Sequence, residues 1–126
     1  MAKNQKPVVN KEFWPAKDDT ATFEYLYPMI ESDLNEIREL SKKKQDEPLN
    51  IFKIKMLNKK LEKAKIILKN ETTNEYLEFL NEENLPINSD AVLLISQYIN
   101  ALKEFQKKYY YSTGDLLERY EWKTKD

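Results

Sequence analysis

The chain has 126 residues, of which 40% are hydrophobic and 34% charged, with a formal net charge of −1; it contains no histidine, no cysteine and a single glycine, Gly114. Those absences remove imidazole proton shuttles, thiolate nucleophiles, disulfide frameworks, the usual zinc ligand sets and glycine-rich phosphate loops. The near-balanced charge gives no global attraction to nucleic acid or to a membrane.

A chain of this length is read as one domain, able to bury roughly two-thirds of its unfolded surface in a core of its own. No apolar run approaches the roughly 20 residues that a membrane span needs. Met1 to Lys11 is polar apart from Val8-Val9, which predicts no secretory signal. Together these features predict a cytoplasmic protein. Abundant Lys, Asn, Ile and Glu suggest an AT-rich coding genome, as in many bacteria and phages.

In chain order, residues 1–17 read as an extended N-terminal arm with Pro7, Pro15, four lysines and the triplet Phe13-Trp14-Pro15. Residues 18–126 then form a single helical-bundle domain. The first helix is expected from about Thr20 to Lys44, because Phe23, Leu26, Tyr27, Ile30, Leu34 and Ile37 recur at three- and four-residue steps. Pro28 lies inside that run and predicts a kink or restart. A turn over Gln45–Pro48 leads to a second helix, Leu49 to Asn70, with Pro48 in its first turn and a stripe of Ile54, Leu57, Leu61, Ala64 and Leu68.

Thr72 and Glu75 have the spacing of a capping box, which predicts a short third helix through Leu80. After a loop ended by Pro86, Asn88 or Ser89 caps a fourth helix reaching Tyr111. Its stripe is Ala91, Leu94, Ile95, Tyr98, Leu102, Phe105 and Tyr109, and its first turns are apolar nearly all round, as expected of a central helix. Gly114 suits a left-handed stop after that helix. Leu116, Leu117, Tyr120 and Trp122 suggest a last short helix. No alternation long enough for a strand is found. The expected fold is all-α: an antiparallel bundle of three long helices plus one or two short ones.

Three features bear on function. Charge alternates in blocks: seven acids and one base from Asp18 to Glu39, ten lysines from Lys42 to Lys69, and six acids with no base from Glu71 to Asp90. One reading is mutual screening within the fold; the other is an exposed basic face. On a wheel of about 100° per residue with Leu57 in front, Lys55, Lys59 and Lys63 fall behind, together with Phe52 and Ile66. A solvated face needs neither a phenylalanine nor an isoleucine. That back is therefore either covered within the monomer or a contact surface. The second feature is the arm, where Phe13 and Trp14 serve as a lid or as an anchor in a partner's pocket. The third is Tyr109-Tyr110-Tyr111, three successive residues that cannot share one face.

The resulting expectation is a non-catalytic protein–protein interaction module, a small regulator, adaptor or inhibitor. Its candidate contacts are Phe13, Trp14, Phe52, Lys55, Lys59, Lys63 and Ile66, and its expected partner is a protein of acidic or mixed surface. No catalytic residue, metal or cofactor is implied. Alternatives are weak nonspecific nucleic-acid binding through the lysines, disfavoured because only Arg38 and Arg119 are arginines, and a structural homodimer burying the same surfaces.

Overall fold

The computed structural model describes residues 11–117 and 119–126. It is mostly helical, with three α-helices and a small two-stranded sheet: α1 (Lys17–Lys44), α2 (Ile51–Ile67), α3 (Asn88–Tyr109), β1 (Tyr110–Ser112) and β2 (Tyr120–Trp122).

Helix α1 is the spine. Phe23, Leu26, Ile30, Leu34 and Ile37 are all buried, and the helix packs along both α2 and α3, which touch each other only sparingly. The expected restart at Pro28 does not occur; α1 runs through it unbroken. Pro28 and Glu24 are both exposed, so the helical bond that a proline cannot make is lost on the outer side, while the apolar stripe on either side holds the axis.

Helix α2 starts later than its apolar pattern suggests. The Asn50 side chain caps it, accepting from the backbone N–H of Phe52 at 2.7 Å and of Lys53 at 3.3 Å. Pro48 is consequently outside the helix, in a β-bridge with Ile87. The Leu49 N–H donates to the Pro86 carbonyl (2.8 Å) and the Asn88 N–H to the Glu47 carbonyl (2.9 Å), which ties the start of α2 to the start of α3. The Asn88 side chain donates to the Lys44 carbonyl at 2.8 Å, satisfying an end of α1 at the same corner.

This corner corrects the expected up-down arrangement. Helices α2 and α3 both start there and both finish at the other end, where Glu71, just beyond α2, meets Tyr109 and Lys108 at the end of α3. They run parallel to one another and antiparallel to α1. The return leg between them is not the expected helix over Thr72–Leu80. Only Thr72–Tyr76 is helical, as 3-10 turns, with Glu71 at the N-cap and no side-chain cap, so the capping box does not form. From Leu77 the chain is irregular and climbs as a strap between α2 and α3, with Leu77 and Leu80 buried.

The strap's backbone groups find partners on the helices it crosses. The Asn58 carboxamide of α2 donates to the Leu80 carbonyl (2.9 Å) and accepts from the Leu80 N–H (3.0 Å), as a neighbouring strand would. Lys65 Nζ donates to the Asn74 and Leu77 carbonyls at 3.0 and 2.8 Å, and the Tyr98 hydroxyl of α3 donates to the Glu78 carbonyl at 2.8 Å. Three side chains thus do what a helix would have done internally.

The expected terminal helix is also replaced, by a hairpin. β1 and β2 pair antiparallel with Tyr110 opposite Trp122 and Ser112 opposite Tyr120. Tyr110 stacks on Tyr120 (5.5 Å between centroids), while Trp122 meets Phe23 edge-on at 5.0 Å and Phe105 at 5.7 Å. Cross-strand aromatic pairs favour this pairing, whereas an isolated helix of about two turns is marginal. Gly114 does take a positive φ of 75°, but in the hairpin loop rather than directly after the helix.

Helix α3 is less enclosed than its apolar first turns imply. Leu93 is exposed and Val92 and Leu94 are half-buried, so α1, not α3, is central.

Candidate protein-interaction face on α2

The inner side of α2 is settled by burial: Ile54, Leu57, Leu61, Ala64 and Ile67 all face the core. The helical period then turns Phe52, Lys55, Lys59, Lys63 and Ile66 outward, and all five are exposed. Phe52 is 68% and Ile66 52% accessible, and Met56 between them is 45% accessible. Phe52 and Ile66 are left uncovered by the described residues, while Phe79, Leu80 and Glu82 of the strap border the face at Lys55 and Lys59. Burying a phenylalanine or isoleucine side chain is worth about 1.5–3 kcal/mol. The fold of this chain forgoes that at both positions, which lie about 21 Å apart along the helix.

The lysines of α2 and its end divide by position. Those on its flanks are partnered. Lys60 pairs with Asp33 of α1 at 2.6 Å with both side chains mostly enclosed; Lys53 approaches Glu36 at 3.8 Å, and Lys69, just past the helix, approaches Asp19 at 3.6 Å. Lys65 is held by the strap carbonyls. Lys55, Lys59 and Lys63 on the back have no ion pair among the described residues. Acidic α1 therefore pairs with the flank it faces, while Glu62 and Glu82 lie near Lys55 and Lys59 without an ion pair to them.

Next to this face runs a groove between α1 and α2. A hollow of about 230 Å³ is lined by Ile37, Phe52, Met56 and Leu57 together with the pairs Asp33–Lys60 and Glu36–Lys53. A second, shallower hollow shares Asp33 and Lys60 and continues past Ser32 to Met29 and Pro28. Met29, 45% accessible, and Tyr25 one turn earlier extend the apolar surface along α1. Met29, Met56 and Tyr25 were not among the sequence candidates. Met56 lies beside Phe52 on the wheel and was readable there; Met29 and Tyr25 join the face only through the α1–α2 register, which no single helix reveals.

Phe13 and Trp14 do not join this face. The described part of the arm is one 3-10 turn, Lys11–Phe13, leading into α1; residues 1–10 of the expected extended arm lie outside the described residues. Trp14 is half-buried against the core and Pro15 is buried, as a lid would be, whereas Phe13 is exposed. The Phe13 carbonyl accepts from the Tyr109 hydroxyl at 3.4 Å. That places the pair at the end of the molecule where α2 finishes, remote from Phe52 at its start.

The tyrosine run resolves into three environments. Tyr109 is buried, with its hydroxyl donating to Glu71 at 3.2 Å, Tyr110 is half-buried at the start of β1, and Tyr111 is exposed. Burial pushes the Tyr109 hydroxyl above its ordinary value; the adjacent Lys108 partly offsets the shift and Glu71 reinforces it. Tyr98 is raised much further, chiefly by burial, with Glu78 adding to the effect. Both hydroxyls are engaged with protein acceptors, which suits structural roles. Among the described residues, no group of three or more carboxylates is placed to hold a metal ion, and no helix is long and apolar enough to cross a membrane. Comparison with known proteins returns no family model, no curated protein and no solved structure that matches this chain.

Proposed function

We propose that this protein is a non-catalytic protein–protein interaction module, a small regulator, adaptor or inhibitor that docks through the outer face of α2 onto a protein of acidic or mixed surface. The observation that carries this reading is the exposure of Phe52 and Ile66 in the same row as three lysines that form no ion pair among the described residues. Exposed apolar groups interleaved with cations match the make-up of an interface core with a charged rim. In this reading the helices act as one rigid bundle, with α1 as its spine and α2 as the presenting edge. The absence of cysteine suits a reducing compartment, and we place the protein in the cytoplasm.

The test is the double substitution Phe52→Asp and Ile66→Asp. The expected outcome is an unchanged helical circular-dichroism signal with loss of partner capture from lysate of the source cells. Unfolding of the double variant would assign both side chains to stability instead. The same three lysines also support a second reading, nonspecific nucleic-acid binding. It requires salt-sensitive retention of a duplex on a filter, and no retention at low salt ends it.

A further inference from the structure

We infer that copies of this chain associate head to tail, the hairpin tip of one molecule seating in the α1–α2 groove of the next. The inference goes beyond the docking reading and does not rest on it.

The plug is the turn between β1 and β2. Leu116 is fully exposed and Leu117 is 76% accessible, more than any other large apolar side chain described. The turn that holds them out is braced from within. The Thr113 N–H and hydroxyl both donate to the Arg119 carbonyl, at 2.9 and 3.2 Å, and the Gly114 N–H donates to the Ser112 hydroxyl at 3.2 Å. The Asp115 carboxylate accepts from the Leu117 N–H at 3.1 Å and from Arg119 Nε at 2.8 Å. Little ordering entropy is left to lose when the leucines dock. Single exposed leucines are ordinary, whereas an adjacent pair on a braced tip has the character of a contact patch.

The socket has Ile37 and Leu57 as its floor and Phe52 and Met56 as its wall on α2. Its volume of about 230 Å³ is below the roughly 300–1,000 Å³ of a pocket for a drug-sized ligand, and on the scale of one or two side chains. Its four ionic side chains are already matched, Asp33 with Lys60 at 2.6 Å and Glu36 with Lys53 at 3.8 Å. The two charges described in the turn, Asp115 and Arg119, likewise close on each other. Plug and socket are thus both apolar with their charges settled, and joining them strands no ion of either pair. Two larger hollows lack this match. On the strap side of α2, leucines would cover Lys55, Lys59 and Glu62, which have no ion pair among the described residues. Between the strap and α3 they would lie against the carboxamides of Gln97 and Asn100.

Within one molecule the two surfaces cannot meet. The hairpin packs on Phe23, whereas the groove lies around Ile37, about 21 Å further along α1 and on the flank facing α2. Tip and groove are different surfaces, so the contact is heterologous and adds molecules in a row or a ring. A lipid surface is the competing acceptor for the tip. Two leucines carry fewer carbons than a single myristoyl chain, whose anchoring is itself marginal.

A contact this small belongs to the weak class and is read at high concentration. Sedimentation equilibrium of the full chain is expected to show mass rising above the monomer towards about 1 mM, with no loss of association as salt is raised. Leu116→Asp with Leu117→Asp is expected to weaken association about tenfold or more, and so is Met56→Asp; all three side chains lie wholly or partly in solvent. Mixing these two variants is expected to restore a dimer and nothing longer, because one keeps the socket and the other the plug. With the tip variant alone isotope-labelled for NMR, the amides that shift are expected to be those around Phe52 and Met56. The spectrum of each variant also reports its fold, and Phe52→Asp, at the most exposed wall residue, replaces Met56→Asp if that one unfolds. Undiminished association of the tip or the groove variant, or association abolished by salt, overturns the inference. So does a mixture that fails to pair, which would make the contact one between like surfaces. A wild-type chain that stays monomeric overturns it too, and binding of that monomer to phosphatidylcholine vesicles would give the tip to lipid instead.

Discussion

The two ends of α2 lie in contrasting surroundings. At the far end, where α1 begins and α3 ends, rings turn inward: Phe23, Phe105, Tyr109 and Trp122 form a continuous aromatic cluster, closed over by the hairpin and by Trp14. At the near end, rings and thioethers turn outward: Phe52 and Met56 stand in solvent with no aromatic neighbour among the described residues. The difference teaches where residue type stops being informative. Phe52 and Trp122 are both large and apolar, and both lie on peripheral elements. Only Trp122 is folded onto the core, against Phe23 and Phe105.

This contrast can be broken first by truncation. Phe23→Ala is expected to cost about 3–5 kcal/mol in urea unfolding, the range for a large ring lost from a core, and Phe52→Ala about 0.5 kcal/mol or less. Comparable losses at the two positions would show that the outer face of α2 is structural after all.

A smaller effect sharpens the boundary between α2's two sides. Asn58→Ala removes both bonds to Leu80 and leaves the strap's N–H and carbonyl unpartnered, at an expected cost of about 1–3 kcal/mol. Lys59→Ala, the adjacent residue on the outer side, is expected to leave the urea midpoint unchanged.

The smallest effect at neutral pH is that of Tyr98→Phe, about 1 kcal/mol from the lost bond to Glu78. Its signature is pH. The ionisation of Tyr98 is raised in the folded protein from its ordinary 10.0, mainly by burial. The stabilisation linked to the neutral phenol is therefore fully present below pH 10 and falls as pH rises beyond it towards the folded-state value. Between pH 10 and 11 wild-type stability is expected to fall more steeply than that of Tyr98→Phe. Parallel slopes would mean that the hydroxyl titrates freely.

Much of the core was legible because it is written in local periodicity. Ile54, Leu57, Leu61 and Ala64 declare the inner side of α2, and Phe23 to Ile37 that of α1, without reference to any other segment. The outer face followed from the same wheel, since fixing Leu57 inward fixes Phe52 and Ile66 outward. What escaped depends on distant partners. Leu77 and Leu80 have spacing compatible with a helix, but Asn58, Lys65 and Tyr98 satisfy their stretch of backbone from other elements, and none of these carries a local sign of that role. The hairpin strands are three residues each, too short for alternation to register, and their reason for pairing is a set of rings brought together by α1 and α3. The groove required two helices in register, so Met29 could not be seen as its wall.

Parallel α2 and α3 require the chain to retrace the length of the molecule between them, and Asn58 fastens that return leg to α2. Leu80 belongs to neither a helix nor the sheet, yet its N–H and carbonyl are both clasped by the Asn58 side chain of α2. The Leu80 N–H thus gives spectroscopy a single built-in gauge of how firmly α2 and the return leg hold together.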